Sequence, residues 1–218
     1  MDAEFWHARW QENHIGFHLQ ETNPLLVRYW PVPRTAPGDN ILVPLCGKSL
    51  DMLWLLDQGY RVTGVEISRI AVEAFFAENS LVPDIDQAGA FTRYRCDELN
   101  ILCGDFFSLA RNTAGDIAAV YDRASLIALP PAMRAAYAAH LASLLDAGTN
   151  CLLITLDYDQ QEMGGPPFAV SSGEIRDLYA GAFGIEQLCA DDALDDNGRF
   201  REAGITRLFE RTYLIQRR

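Results

Sequence analysis

The chain is poor in positive charge. Its 18 Lys and Arg face 30 Asp and Glu, giving a net charge of -12 and a pI near 4.7. Phosphate backbones and anionic membranes are bound by clustered Lys and Arg, so this balance argues against nucleic-acid or membrane partners and favours small-molecule chemistry. Long apolar runs are also missing: no stretch of 18 apolar residues occurs, and the N-terminus, MDAEFWHARWQENH, is amphipathic and polar. Neither a membrane-spanning nor an exported protein is expected. The five cysteines form no Cys-x-x-Cys pair, and Cys103, Cys151 and Cys189 fall inside apolar, strand-like runs, where a free thiol is a small buried hydrophobe. A reducing, cytoplasmic setting fits that usage. Histidine is scarce, and Gly16 between His14 and His18 argues for a loop there, so no metal site is expected. No Gly-x-Ser-x-Gly elbow supports a serine hydrolase.

What is present reads as one α/β domain spanning 1–218, with 1–39 as an N-terminal helical cover and 40–218 as a Rossmann-like sheet. Phe5, Trp6 and Trp10 place aromatics on a short first helix. Asn23 followed by Pro24 starts a second, which ends before the proline-rich loop Pro31 to Asp39. Strands are expected at Ile41–Val43, Arg61–Val65, Asn100–Cys103, Ile117–Tyr121 and Thr149–Leu156, and polar, irregular sequence from Ser80 to Glu98. Helices are expected after Leu50, after Ser68, over Pro131–Leu145, and after Ser171, which forms a capping box with Glu174. A final strand pair, Ile185–Cys189 and Thr206–Ile215, can close antiparallel at an edge. The pattern predicts a doubly wound sheet with an antiparallel last strand, the class I arrangement of S-adenosylmethionine-dependent methyltransferases.

Asn40 to Ser68 carries the functional signal. It reads as strand, turn, helix and strand, with Glu66 following 19 residues after Gly47, where such a unit places a carboxylate on ribose hydroxyls. A phosphate-binding loop needs a glycine at position 42, which is leucine, and a dinucleotide fingerprint needs three glycines where this turn has one. A nucleoside cofactor without phosphates, S-adenosylmethionine, satisfies both facts. Asp105 after the third strand can face an adenine amine or simply form a turn. Arg123, after the fourth, can reach a carboxylate through its planar fork or join an internal salt bridge.

The chain resembles the thiopurine S-methyltransferase family, bacterial members especially, along nearly its whole length. The resemblance rests on Phe5-Trp6-x3-Trp10, Gly16-Phe17-His18, Val43-Pro44-Leu45-Cys46-Gly47-Lys48-Ser49, Gly64-Val65-Glu66-Ile67-Ser68, Tyr121-Asp122-Arg123-Ala124, Gly165-Pro166-Pro167-Phe168 and Leu208-Phe209-Glu210-Arg211-Thr212-Tyr213-Leu214. It implies that Trp10, Leu45, Glu66 and Arg123 contact S-adenosylmethionine, with Gly104 and Asp105 along the adenine. Phe17 would join the cover over the substrate, and Arg199, or Arg201 close by, would be the substrate-side arginine beside Arg123. The implied reaction is methyl transfer to aromatic or heterocyclic thiols, with selenium and tellurium compounds as further acceptors in detoxification; separately, a monomer is expected. Rival readings are a halide or thiocyanate methyltransferase of the same superfamily, a non-catalytic S-adenosylmethionine-binding module and, more distantly, a dinucleotide oxidoreductase.

Overall fold

The structure, a computed structural model, describes residues 3–16 and 18–218. The N-terminal elements form where their caps predict. α1 covers Ala3–Gln11, and α2 covers Pro24–Tyr29, with the Asn23 side chain accepting the Leu25 N–H. β1 (Asn40–Val43) is buried at every position, as a strand covered on both faces must be. α3 (Asp51–Asp57), β2 (Arg61–Glu66) and α4 (Arg69–Glu78) follow. Ser68 caps α4 by accepting the Ala71 N–H, and Ala71, Val72, Phe75 and Phe76 form its buried face.

Residues 80–98, expected to be irregular, instead contain an antiparallel hairpin. β3 (Asp84–Ala88) and β4 (Phe91–Cys96) turn at Gly89, whose φ is +63°. β3 carries no apolar alternation because its first four residues are exposed, and it is held by β4 and by the pair Arg93–Asp86. On the other side β4 pairs with β5 (Leu99–Cys103). A short helix, α5 (Arg111–Ala114), precedes β6 (Ala119–Arg123), which starts two residues later than expected.

The chain forms two compact units, 1–121 and 122–218, with the division inside β6. In the first, the strand order is β3-β4-β5-β2-β1-β6, and β5, β2, β1 and β6 are parallel neighbours. In the second, α6 (Pro131–Leu144), β7 (Asn150–Asp157), α7 (Ser172–Tyr179), β8 (Phe183–Asp192), α8 (Gly198–Glu202) and β9 (Phe209–Arg217) follow in sequence. β9 lies antiparallel between β7 and β8, which is the expected antiparallel last strand. Parallel strands with helical crossovers and this closing strand make the class I methyltransferase fold.

Candidate active site

Glu66 ends β2 and is buried. One carboxylate oxygen, Oε2, accepts the Gly47 N–H at 2.9 Å, and Oε1 accepts the Ser68 N–H at 2.7 Å. The side chain thus joins the turn after β1 to the start of α4. Burial pushes its pKa up to about 7, against the pull of the Ser68, Gly47 and Ile67 amides. A carboxylate offers about four lone-pair sites, so two remain for a pair of hydroxyls, as ribose presents.

The turn itself is conformationally costly. Leu45 adopts φ +47°, uncommon for a branched side chain, and Gly47 adopts +53°. A Cβ on Gly47 would sit 3.1 Å from the Trp10 ring, so the lone glycine lets the cover lie on this backbone. Trp10 is buried there, and α1 lies against α4. Lys48, the chain's only lysine, is committed to Glu78, at 2.7 and 2.8 Å from its two oxygens. Nothing in this turn is arranged for phosphate, in agreement with the missing glycines.

Gly104 follows β5 and donates its N–H to the Glu66 carbonyl at 2.9 Å. A Cβ there would meet the Phe91 ring at 2.6 Å, so only glycine keeps this approach. Asp105 is exposed, and its Oδ1 accepts the Phe107 N–H, capping the single 3-10 turn Phe106–Ser108. Trp10, Leu45, Glu66, Gly104 and Asp105 all belong to the first unit, and Glu66 is the side chain that ties the β1 and β2 ends together. Phe17 lies outside the described residues.

Arg123 and Arg199 belong to the second unit. Arg123 is half-buried at the end of β6, and the next residue, Ala124, adopts φ +62°. Burial raises the pKa of Glu210, against the pull of the Arg123 guanidinium and with a further push from Asp191, so Arg123 has acidic company on β8 and β9. Arg199 is exposed on α8, as is Arg201. Between them Phe200 is buried against Tyr158, ring centroids 5.9 Å apart.

Several structural supports rest on pairings that the sequence does not announce. Asp51 is buried in the first turn of α3 and accepts both the Asn23 N–H (2.7 Å) and the Tyr121 hydroxyl (2.9 Å), fastening α2 to β6. An acid in a first helical turn reads as ordinary dipole compensation, which conceals such a role. Asp122 accepts the Tyr137 hydroxyl at 2.7 Å and the Leu126 N–H, and burial pushes its pKa up to about 6. The expected capping box at α7 is only half formed: the Glu174 N–H reaches Ser171 Oγ, but the Glu174 carboxylate turns to Arg134, at 2.6 Å. A charged partner outbids the backbone N–H of the cap residue.

Comparison with known proteins places the chain in a family and a fold. The sequence model of thiopurine S-methyltransferase (TPMT) matches residues 1–218. The chain belongs to the thiopurine S-methyltransferase family. It is 52% identical to the thiopurine S-methyltransferase of Pseudomonas fluorescens strain SBW25 over 215 residues, covering 99% of both chains. Against that of Azotobacter vinelandii it is 50% identical over 218 residues, covering both completely. Among solved structures, a Burkholderia thailandensis 1,6-didemethyltoxoflavin-N1-methyltransferase with bound S-adenosylhomocysteine superposes with a TM-score of 0.64 at 14% identity, covering 99% of this chain and 87% of that one. A Methanosarcina mazei SAM-dependent methyltransferase gives 0.63 at 16% identity, covering 90% and 98%. At such identities these structures speak for the fold alone. Membership of the family is carried by the sequence relatives.

Proposed function

We propose that this protein transfers the methyl group of S-adenosylmethionine to the sulfur of aromatic or heterocyclic thiols, thiopurines included. The observation that carries the reading is the buried Glu66 carboxylate, held by two backbone donors beside a turn unsuited to phosphate, in a chain matching this family over its full length. The cofactor supplies an electrophilic methyl on a sulfonium centre. Glu66 accepts the ribose hydroxyls, Trp10 and Leu45 border the cofactor, and Gly104 and Asp105 flank the adenine. Arg123 meets the cofactor's carboxylate or the acceptor. Arg199 stands on the acceptor side, with Phe17 in the cover.

Heterocyclic thiols ionise readily, so a strong dedicated base is unnecessary. Arg123 and Arg199 favour the thiolate by placing cationic donors near it, and alignment in a dry pocket does the rest. The protein works as a cytoplasmic monomer in detoxification, and soft selenium or tellurium nucleophiles are further acceptors by the same chemistry. Mass spectrometry of incubations with S-adenosylmethionine and 6-mercaptopurine, thiocyanate or iodide tests this. Methylated 6-mercaptopurine is expected; methylation of the anions alone would assign the chain to its rival class.

A further inference from the structure

Arg134 lies in the first half of α6 and is 1% exposed, an unusual place for a guanidinium. Its Nε donates to the Leu129 carbonyl at 2.9 Å, and its Nη1 donates to the Ala169 carbonyl at 3.1 Å and to Glu174 at 2.6 Å. Its carbon centre stands 5.9 Å from the Phe168 ring centroid, within cation–π range. One side chain therefore grips the segment after β6, the Gly/Pro-rich loop after β7 and the start of α7.

Two of the three gripped segments are fixed again nearby. Residues 122–129 are held at one end by Asp122 accepting the Leu126 N–H and at the other by Arg134. In the loop, the Pro167 carbonyl accepts the Tyr158 hydroxyl at 2.6 Å. The Phe168 N–H donates to the Ile127 carbonyl (2.7 Å), the Ala169 N–H to Gln160 (2.8 Å) and the Val170 N–H to the Leu156 carbonyl (2.7 Å). A Cβ on Gly165 would lie 2.5 Å from the Phe168 ring, which closes the loop on itself. The same loop reaches the segment before β9 through Glu162, which accepts from the Thr206 N–H and hydroxyl.

Of these ties only Arg134 bridges all three segments, and its Nε and Nη1 donors, fixed in one rigid plane, suit that task as an ammonium does not. Loops that follow the carboxyl ends of parallel strands are where open α/β sheets meet their ligands. We propose that Arg134 is a positioning residue that holds residues 165–170 in register with residues 126–129, and through that register sets which thiol the protein accepts. The second half of this inference rests on the thiol methyltransferase reading above.

The test uses Arg134→Lys, which keeps the cation but loses the fork, and Glu174→Ala, which leaves the guanidinium in place without its counter-charge. Amide hydrogen exchange should speed up at least tenfold at Phe168 and Val170, with Cys46 and Gly104, bonded to Val65 and Glu66, unchanged. KM for 6-mercaptopurine should rise at least fivefold, and the preference for it over a small aliphatic thiol should fall by a similar factor. S-adenosylhomocysteine affinity should stay within twofold. If Arg134→Lys does not fold, Glu174→Ala, at a partly exposed side chain, carries both readouts. Unchanged Phe168 exchange overturns the register claim, and accelerated exchange with unchanged acceptor preference overturns the specificity claim. A parent protein that binds S-adenosylhomocysteine but methylates no thiol sinks the functional reading instead, and the exchange data still judge the register.

Discussion

The two compact units hold their functional parts in different ways. In the first, the central group is a carboxylate fixed by two backbone amides, those of Gly47 and Ser68 on either side of β2. In the second, elements are tied by side-chain pairs: Arg134 on α6 to Glu174 on α7, Tyr137 on α6 to Asp122 on β6, and Arg211 on β9 to Asp157 on β7 at 2.9 Å. The first mode is prepaid by secondary structure, because strand ends and helix starts present unpaired N–H groups anyway. The second pays side-chain entropy and desolvation for each link, and each can be altered by one substitution. The surroundings of Glu66 use the rigid mode, and the segments gathered by Arg134 use the adjustable one.

The largest expected effect falls on the first unit. Glu66→Ala should weaken S-adenosylhomocysteine binding by roughly 1 to 3 kcal/mol, the scale for a charged hydrogen-bonding partner, and more if the Gly47 turn relaxes. An unchanged calorimetric affinity would remove Glu66 from the cofactor site and erase the contrast.

Next comes Tyr137→Phe in the second unit, which strips a donor from a fully buried carboxylate. A stability loss of about 1 to 3 kcal/mol is expected in urea unfolding. Cofactor affinity should be spared if the two modes are independent.

The pH dependence sharpens the comparison further. With Glu66 held up to about 7, the free protein carries part of its population protonated at neutral pH. Hydroxyl donors favour the ionised form, so binding releases a proton, and affinity should be about tenfold tighter at pH 8 than at pH 6. Glu66→Gln should flatten that profile. For folding the sign is opposite. The folded chain keeps a proton on Glu66 and on Asp122 that the unfolded chain has shed, so both stabilise at low pH and lose that contribution as pH rises toward about 7 and about 6. Asp122→Asn should remove its share of the slope.

On the acceptor side, Arg123→Ala and Arg199→Ala should lower the methylation rate most at acidic pH, where the thiolate needs cationic help, and least at alkaline pH. Parallel pH–rate profiles would exclude thiolate stabilisation. The smallest effect is expected at Asp86→Ala, which breaks the solvent-screened pair holding the β3–β4 hairpin and should leave the urea midpoint nearly unchanged.

Most of the first unit was legible because its signals are local. Asn23-Pro24, Ser68, the apolar Ile41–Val43 run and the spacing from Gly47 to Glu66 act over a few residues or one strand–helix–strand unit. The hairpin at 84–96 was not legible, because an edge strand exposed on both faces needs no alternation. The partners of Asp51, Asp122 and Arg134 were equally hidden, although Asp122 stood in the Tyr121–Ala124 motif: each partner lies 15 to 70 positions away, and composition carries no record of such pairs.

The sequence by itself determined the class of fold, the family and the choice of a phosphate-free cofactor, since periodicity, capping and the single glycine of the first turn are written residue by residue. Only the tertiary structure decided that Glu66 clamps the Gly47 turn to the Ser68 cap, that Trp10 rests on Gly47, and that Glu174 leaves its cap for Arg134. Those outcomes depend on which groups folding buries together, because a charge taken out of water must find its partner wherever the chain has put one.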